Sequence, residues 1–267
     1  MTTFNLKKMV AVLGLMGMSV TACVTGPTAK EIKQSEIQYD LGVNDLSVGR
    51  IKQALKYFME SHRINPDFPQ VHNGLGLAYF MLGNNDKALA HFDKALTLKP
   101  EYSEVMNSKA RLLIGQGRFR AAIPLLKKAL EDVFLKERYL AESNLGWALF
   151  HTGEQQEGFR HVRSSIAQNE KYCVGYQYLG LMLQAQKKFT EAIKEFKQMN
   201  QLCPGYPQGN RDLGKVLLMD GDEEGGCIAL KACFEKSRMT PIGQECERLF
   251  KMSCKQEKPK VPVPSGG

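Results

Sequence analysis

Six cysteines near the carboxyl end are the residues whose type and number most directly suggest chemistry. An even number of cysteines is typical of disulfide pairing in an exported protein, and the amino-terminal residues described below indicate export. Buried free thiols are the alternative. A zinc site is disfavoured, because no two of these cysteines have the C-x₂₋₄-C spacing that zinc sites favour. The six are Cys173, Cys203, Cys227, Cys233, Cys246 and Cys254.

The other residue types that catalyse reactions form no recognisable catalytic motif. The five histidines include no HExxH pair, and the chain has neither a G-x-S-x-G elbow nor a phosphate-binding glycine loop. Residues 220–225 resemble the start of a calcium loop, but the position that needs a bidentate glutamate is Lys231. The sequence therefore predicts a protein that is not an enzyme and has no cofactor or metal site.

The amino terminus has the pattern of a secretory signal. Lys7 and Lys8 precede an apolar run over residues 10–20, which is too short to span a bilayer. The run ends in Val-Thr-Ala-Cys at residues 20–23, which resembles a bacterial lipobox. An ordinary cleavage site with an incidental cysteine is the alternative. We expect residues 1–22 to be a lipoprotein signal peptide, Cys23 to be lipidated, and residues 23–34 to form a linker.

The elements that position the cysteines are helical repeats. Residues 70–100, QVHNGLGLAYFMLGNNDKALAHFDKALTLKP, resemble a tetratricopeptide (TPR) repeat, a helix-turn-helix unit of 34 residues. Leu-Gly or its equivalent recurs at this spacing, with two extra residues in 131–138. The sequence predicts an all-α TPR solenoid of six helix-turn-helix repeats with a C-terminal capping helix at 241–254 and a disordered tail at 255–267. The predicted repeats are 35–68, 69–102, 103–138, 139–172, 173–206 and 207–240.

This repeat frame narrows the possible cysteine pairs. Antiparallel helices pair residues whose numbers have a nearly constant sum, and this rule joins Cys227 with Cys254 and Cys233 with Cys246. Cys173 begins the fifth repeat and Cys203 ends it, so these two can also meet. Each bridge would contribute about 3 kcal/mol by the loop-entropy estimate. The frame also puts His91 and the equivalent histidine of the fourth repeat, His161, late in second helices, on faces expected to be solvated.

The resemblance to TPR proteins implies a protein-binding groove. In that family the first helix of each repeat lines a concave face through its second, fifth, ninth, twelfth and thirteenth positions. Leu77 and Ile114 have an alternative place in the core within their repeats. Tyr39 and Val43 occupy the positions where the carboxylate-clamp subclass has lysine and asparagine, which disfavours that subclass. The residues expected to bind a partner are Tyr39, Val43, Asn73, Leu77, Phe80, Met81, Arg111, Ile114, Trp147 and Phe150.

The VTAC motif, the repeat number and the segment from Ile64 to Pro100 together resemble the type IV pilus pilotins, the PilF/PilW/Tgl group. That resemblance implies an outer-membrane lipoprotein on the periplasmic face that binds secretin subunits and promotes their assembly and localisation. An adaptor for peptidoglycan hydrolases or synthases, or a member of another envelope assembly complex, is the alternative. The formal net charge is +8, but export and the lack of a basic stripe interleaved with aromatics argue against nucleic acid. No small-molecule substrate is expected.

Overall fold

Thirteen α-helices arranged as six consecutive pairs and one final helix make up the described part of the computed structural model, residues 26–254. No strand occurs in this range, so the predicted TPR solenoid is confirmed. The helices are α1 (Ala29–Ser47), α2 (Ile51–Ile64), α3 (Pro69–Met81), α4 (Asn85–Leu98), α5 (Ser103–Gly115), α6 (Phe119–Glu131), α7 (Arg138–Thr152), α8 (Gln155–Gln168), α9 (Cys173–Ala185), α10 (Phe189–Leu202), α11 (Pro207–Asp220), α12 (Glu223–Ser237) and α13 (Pro241–Ser253).

Local sequence signals explain how one pair forms. Pro69 begins α3, where its missing N–H removes no intrahelical bond. Gly83 turns the chain with a φ of 77°, and the side chain of Asn84 accepts a hydrogen bond from the backbone N–H of Lys87 to cap α4. The two helices then bury the fully enclosed ring of Phe92 between them. Turn residues and one large apolar side chain therefore define the hairpin.

Close helix approach depends on glycine opposite a large side chain. A Cβ placed on Gly76 would lie 2.5 Å from Cε1 of Phe92, which is well inside van der Waals contact. In the fourth pair Gly146 faces Gly158 instead, and a Cβ on Gly146 would lie 2.6 Å from the carbonyl oxygen of Gly158. Two facing glycines let the backbones of α7 and α8 themselves approach closely.

Stacking of the pairs produces an inner and an outer layer of helices. Each odd-numbered helix contacts the next odd-numbered helix, from α1 through to α13. Within residues 26–254, successive even-numbered helices make no such contacts with each other. Because neighbouring inner helices are closer together than neighbouring outer ones, the stack curves and its inner layer forms a concave face.

The first helix begins earlier than the sequence indicated. Residues 29–34 belong to α1, so the prediction of a linker over residues 23–34 is wrong for residues 29–34. Thr28 and Glu31 form a reciprocal capping box: Oγ1 of Thr28 accepts from the N–H of Glu31, and Oε2 of Glu31 accepts from the N–H of Thr28. This cap sets the helix start at Ala29. The predicted signal peptide, lipidated Cys23 and disordered tail lie outside the described residues.

The two extra residues lie in the loop between α6 and α7. Leu135 is buried there, while Val133 and Phe134 are more than four-fifths exposed. The carboxylate of Asp132 accepts hydrogen bonds from Oγ of Ser103 at 2.7 Å and from the N–H of Phe134 at 2.9 Å. The insertion therefore lengthens a connection, and its base is held against α5.

The carboxyl-terminal end carries the six cysteines in three pairs. Cys227–Cys254 and Cys233–Cys246 join α12 to α13, with Cα–Cα distances of 5.8 and 6.0 Å. Cys173–Cys203 joins the two ends of the fifth repeat at 6.3 Å. All three distances suit disulfides, and they are the pairs that the repeat frame favours. No helix in residues 26–254 is long and apolar enough to cross a bilayer.

Candidate protein-binding groove

The concave groove is the surface formed by the inner helices α1, α3, α5 and α7, and most of the predicted binding residues are at least partly open to solvent. Val43 is 41% exposed and Met81 is 53% exposed, and Arg111 is also exposed. A contiguous patch of large apolar side chains with free surface is typical of an interaction site. The partly buried members of the predicted set are Tyr39, Asn73, Leu77, Phe80 and Trp147.

Two residues of the predicted set belong to the hydrophobic core. Ile114 is 8% exposed and packs in the cluster built by α5, α6 and α7. Phe150 is 9% exposed and meets Phe159 of α8 edge-on, with ring centroids 5.8 Å apart. Both side chains are covered by the packing of their helix against its neighbours, whereas Phe80 at the same repeat position stays partly exposed. The prediction that they face a partner is therefore wrong.

Aromatic rings form a connected surface around Trp147. Its indole stacks on Tyr178 of α9, with centroids 4.6 Å apart and planes 11° from parallel. His151 lies edge-on to the same indole at 4.4 Å. These contacts hold Trp147 in one orientation while leaving it partly exposed. A preoriented aromatic side chain loses little entropy on binding and is typical of binding hot spots.

Sequence reasoning missed two tyrosines that stand immediately before inner helices. Tyr102 precedes α5 and Tyr172 precedes α9; burial raises the pKa of Tyr102 to about 12. The hydroxyl of Tyr172 lies 3.1 Å from Oγ of Ser143, and burial also raises its pKa. The sequence does carry a signal for them, because an aromatic residue occupies the last position of four of the predicted repeats. These aromatic residues are Phe68, Tyr102, Tyr172 and Tyr206.

Hydrogen bonds between polar side chains connect the inner helices. Nδ2 of Asn144 on α7 donates to Oδ1 of Asn107 on α5 at 2.9 Å. Further along, Nε2 of Gln177 on α9 donates to the buried carboxylate of Asp212 on α11 at 2.7 Å. Each of these bonds joins one inner helix to the next inner helix along the stack.

A second cluster, of three histidines, lies between α2, α3 and α4. Nε2 of His72 donates to the carbonyl oxygen of Pro66 at 2.8 Å, which leaves its Nδ1 to accept from Nδ1 of His91 at 3.1 Å. His62 lies against His72, with centroids 4.9 Å apart. Burial, followed by the neighbouring histidines, lowers the pKa of His91 to about 4. The expectation of a solvated His91 is wrong.

The equivalent histidine of the fourth repeat is also enclosed. Nδ1 of His161 lies 2.5 Å from Oε2 of Glu142, a carboxylate on α7, and the His161 side chain is 17% exposed. The outer helix turns both His91 and His161 toward its inner partner, so both are partly buried and neither lies on the solvated face. Within residues 26–254, no three or more His, Cys, Asp or Glu side chains are arranged to hold a metal ion.

Comparison with known proteins agrees with the helix pairs. Residues 69–102 and residues 107–169 match tetratricopeptide repeat families. Human tetratricopeptide repeat protein 13 is 24% identical over 173 residues, which is 63% of this chain and 20% of that protein. The chain therefore spans about a fifth of that relative, and the similarity concerns the repeats. A TPR fold is typically a protein-interaction scaffold.

Two solved structures resemble this chain over nearly their whole length. Pseudomonas aeruginosa PilF has a TM-score of 0.64 at 16% identity, and the similarity covers 82% of this chain and 99% of PilF. PilW, described as a widely conserved type IV pilus biogenesis factor, has a TM-score of 0.69 at 19% identity and covers 80% of this chain and 98% of PilW. At these identities the likeness shows a shared fold.

Proposed function

We propose that this chain is a non-enzymatic lipoprotein of the outer membrane, anchored at the periplasmic face, that binds secretin subunits and promotes their assembly and localisation for type IV pilus biogenesis. The observation that carries the proposal is the concave groove, which presents aromatic and aliphatic side chains over four successive repeats. The fold shared with PilF and PilW supports the pilus pathway. The VTAC sequence ending at Cys23 supports the lipid anchor.

The size and chemistry of the groove suit a protein segment. Fully burying one large apolar side chain stabilises a complex by roughly 1.5–3 kcal/mol, and Val43, Phe80, Met81 and Trp147 all retain surface to bury. Because each group is already partly buried, the four together give less than the roughly 6–12 kcal/mol of four fully exposed side chains, against an association cost on the order of 4–15 kcal/mol. With hydrogen bonds from the polar groove residues, this balance supports weak to micromolar binding, as expected of a chaperone that must release its client.

The test is the state of secretin in cells that lack this protein. Heat-resistant secretin multimers are compared on gels for wild type, a deletion strain, and the deletion strain carrying groove variants. We expect deletion to remove the multimer and to leave monomer. Met81→Ala combined with Trp147→Ala should do the same at normal expression levels. Met59→Ala is a matched control, because Met59 on the outer helix α2 is also 53% exposed.

An unchanged multimer in the deletion strain would contradict the proposal. Co-purification with peptidoglycan hydrolases or synthases, together with a cell-shape or division defect, would then favour the adaptor function. The anchor is tested separately, by labelling cells with a radioactive fatty acid. Label that is present on the wild-type chain and absent from Cys23→Ser supports lipidation, and label on neither contradicts it.

A further inference from the structure

Arg111 is a cation on the floor of the concave groove. It lies on α5, the third inner helix, with its guanidinium carbon 4.9 Å from the ring centroid of Phe80 on α3. Burial lowers the pKa of Arg111, while Tyr172 and Tyr178 lie near enough to act in the opposite direction. The side chain nevertheless retains access to water. Arg111 therefore lies near aromatic side chains while part of its surface stays open to solvent.

No carboxylate of residues 26–254 forms an ion pair with Arg111. Arg211, an arginine on the inner helix α11, differs in this respect. Its Nε lies 2.8 Å from Oδ1 of Asp212, and its Nη1 lies 3.2 Å from Oε2 of Glu245. Lys109, two residues before Arg111 on the same helix, pairs with Asp93. Arg111 is therefore partly desolvated without an anionic partner in this part of the chain, an arrangement that costs free energy.

We propose that the concave groove recognises a protein segment in which an internal aspartate or glutamate, flanked by apolar or aromatic residues, pairs with Arg111. This inference rests on the proposed protein-binding function and specifies the chemistry of the bound segment. A planar guanidinium holds a carboxylate through two parallel hydrogen bonds. The partner's apolar neighbours would then reach Phe80 on one side and Trp147 on the other.

The position of Arg111 makes the recognised carboxylate an internal one. Two inner helices, α1 and α3, precede α5, and four inner helices follow it. A segment that contacts both Met81 on α3 and Trp147 on α7 must continue past Arg111 in both directions. A side-chain carboxylate can then lie over the guanidinium, whereas a terminal carboxylate would leave one half of the aromatic surface uncovered.

The test is a selection from two random peptide libraries against the full chain in detergent micelles. In the first library the random segment lies between fixed flanking residues, and in the second it ends in a free carboxyl terminus. We expect the first library to yield peptides rich in Asp or Glu next to apolar residues. Replacing that acidic residue with its amide should weaken binding at least about tenfold, as expected for a partly desolvated charge pair.

Variants of the protein locate the effect. Arg111→Gln should weaken the binding of the acidic peptides by the same factor and leave the binding of the amide peptides unchanged. The reason is that the protein variant and the amide peptide each remove the same interaction. Arg120→Gln is the matched control, because Arg120 is an exposed arginine on the outer helix α6. Arg111→Lys should restore part of the affinity. Added salt should weaken the acidic peptides more than their amide forms.

Several results would overturn the inference. The selected peptides could lack acidic residues, or Arg111→Gln and Arg120→Gln could lower their affinity equally. Binding peptides could be enriched only in the free-terminus library, or neither library could yield a peptide whose binding depends on the groove. The secretin gel is an independent measurement. An unchanged secretin multimer with Arg111-dependent acidic peptides contradicts the proposed partner alone, whereas a lost multimer with peptides that ignore Arg111 contradicts the recognition chemistry alone.

Discussion

Acid should destabilise the second repeat through His91. In the folded chain the pKa of this imidazole is lowered from 6.5 to about 4, first by burial and then by His72, His62 and Lys87. The unfolded chain binds a proton at the ordinary pKa, so it takes up the proton first as the pH falls. The stability contributed by neutral His91 is complete above about pH 6.5 and is lost progressively down to about pH 4.

The shift sets the size of the effect. A difference of about 2.5 pKa units, at about 1.4 kcal/mol per unit, gives a loss of about 3 kcal/mol over this range. His91→Phe keeps an aromatic ring against Tyr79, on which the imidazole stacks with planes 11° apart, and removes the titrating group. The variant lacks the hydrogen bond to Nδ1 of His72 at every pH. Its stability should therefore start lower than wild type but fall less on acidification.

Two measurements on oxidised protein test this expectation. Urea unfolding followed by circular dichroism, at several pH values between about 7.5 and 4, gives the stability difference between wild type and His91→Phe. Amide hydrogen exchange locates the loss, which should appear first in α3 and α4. Parallel pH curves for the two proteins, or acid-induced exchange that begins in α11–α13 instead, would refute the assignment to His91.

Three further predictions concern glycine packing, the Cys227–Cys254 bridge and the groove. Gly76→Ala should lower the free energy of unfolding by about 1–3 kcal/mol through overpacking against Phe92. Gly115→Ala is the control and should not lower it, because a Cβ at Gly115 meets nothing within 4 Å. Equal urea midpoints for the two variants would contradict the close-packing argument. Cys227→Ser combined with Cys254→Ser removes a bridge across 27 residues and should lower the free energy of unfolding by about 3 kcal/mol. Free thiols at these two positions in the wild-type protein, detected by mass spectrometry, would contradict the pairing. Trp147→Ala should weaken partner binding by about 2 kcal/mol or more with little change in helicity, and loss of the fold instead would show that the indole is a core residue.

The order of helices was readable because each repeat carries its own turn and packing residues. Gly83, Asn84 and Phe92 define one hairpin, and a glycine with positive φ recurs at the turns of four other repeats. The start of α1 was missed because Thr28 and Glu31 form a capping box outside the repeat pattern. The cysteine pairs followed from the same periodicity, since position along two antiparallel helices almost determines which residues are neighbours.

The candidate site was only partly readable, because repeat positions state which helix a residue occupies and only approximately which way it points. Ile114 and Phe150 occupy the same position as Phe80, yet both are buried, since the local approach of inner and outer helices decides how much of that position is covered. Tyr102 and Tyr172 share the last position of their repeats with Phe68 and Tyr206, and this periodicity alone could have indicated them. Position alone could not show that α4 turns His91 toward His72.

The sequence by itself determined the helical repeats, their order and the cysteine neighbours, because these follow from residue positions that recur in successive repeats. Only the tertiary structure decided the charge balance of the groove. Arg211 finds its partner Glu245 34 residues away, and Arg111 is left facing aromatic rings, although both are arginines on inner helices. Whether a charge is paired depends on how successive repeats are rotated on one another, and that rotation is set by the packing of the whole stack.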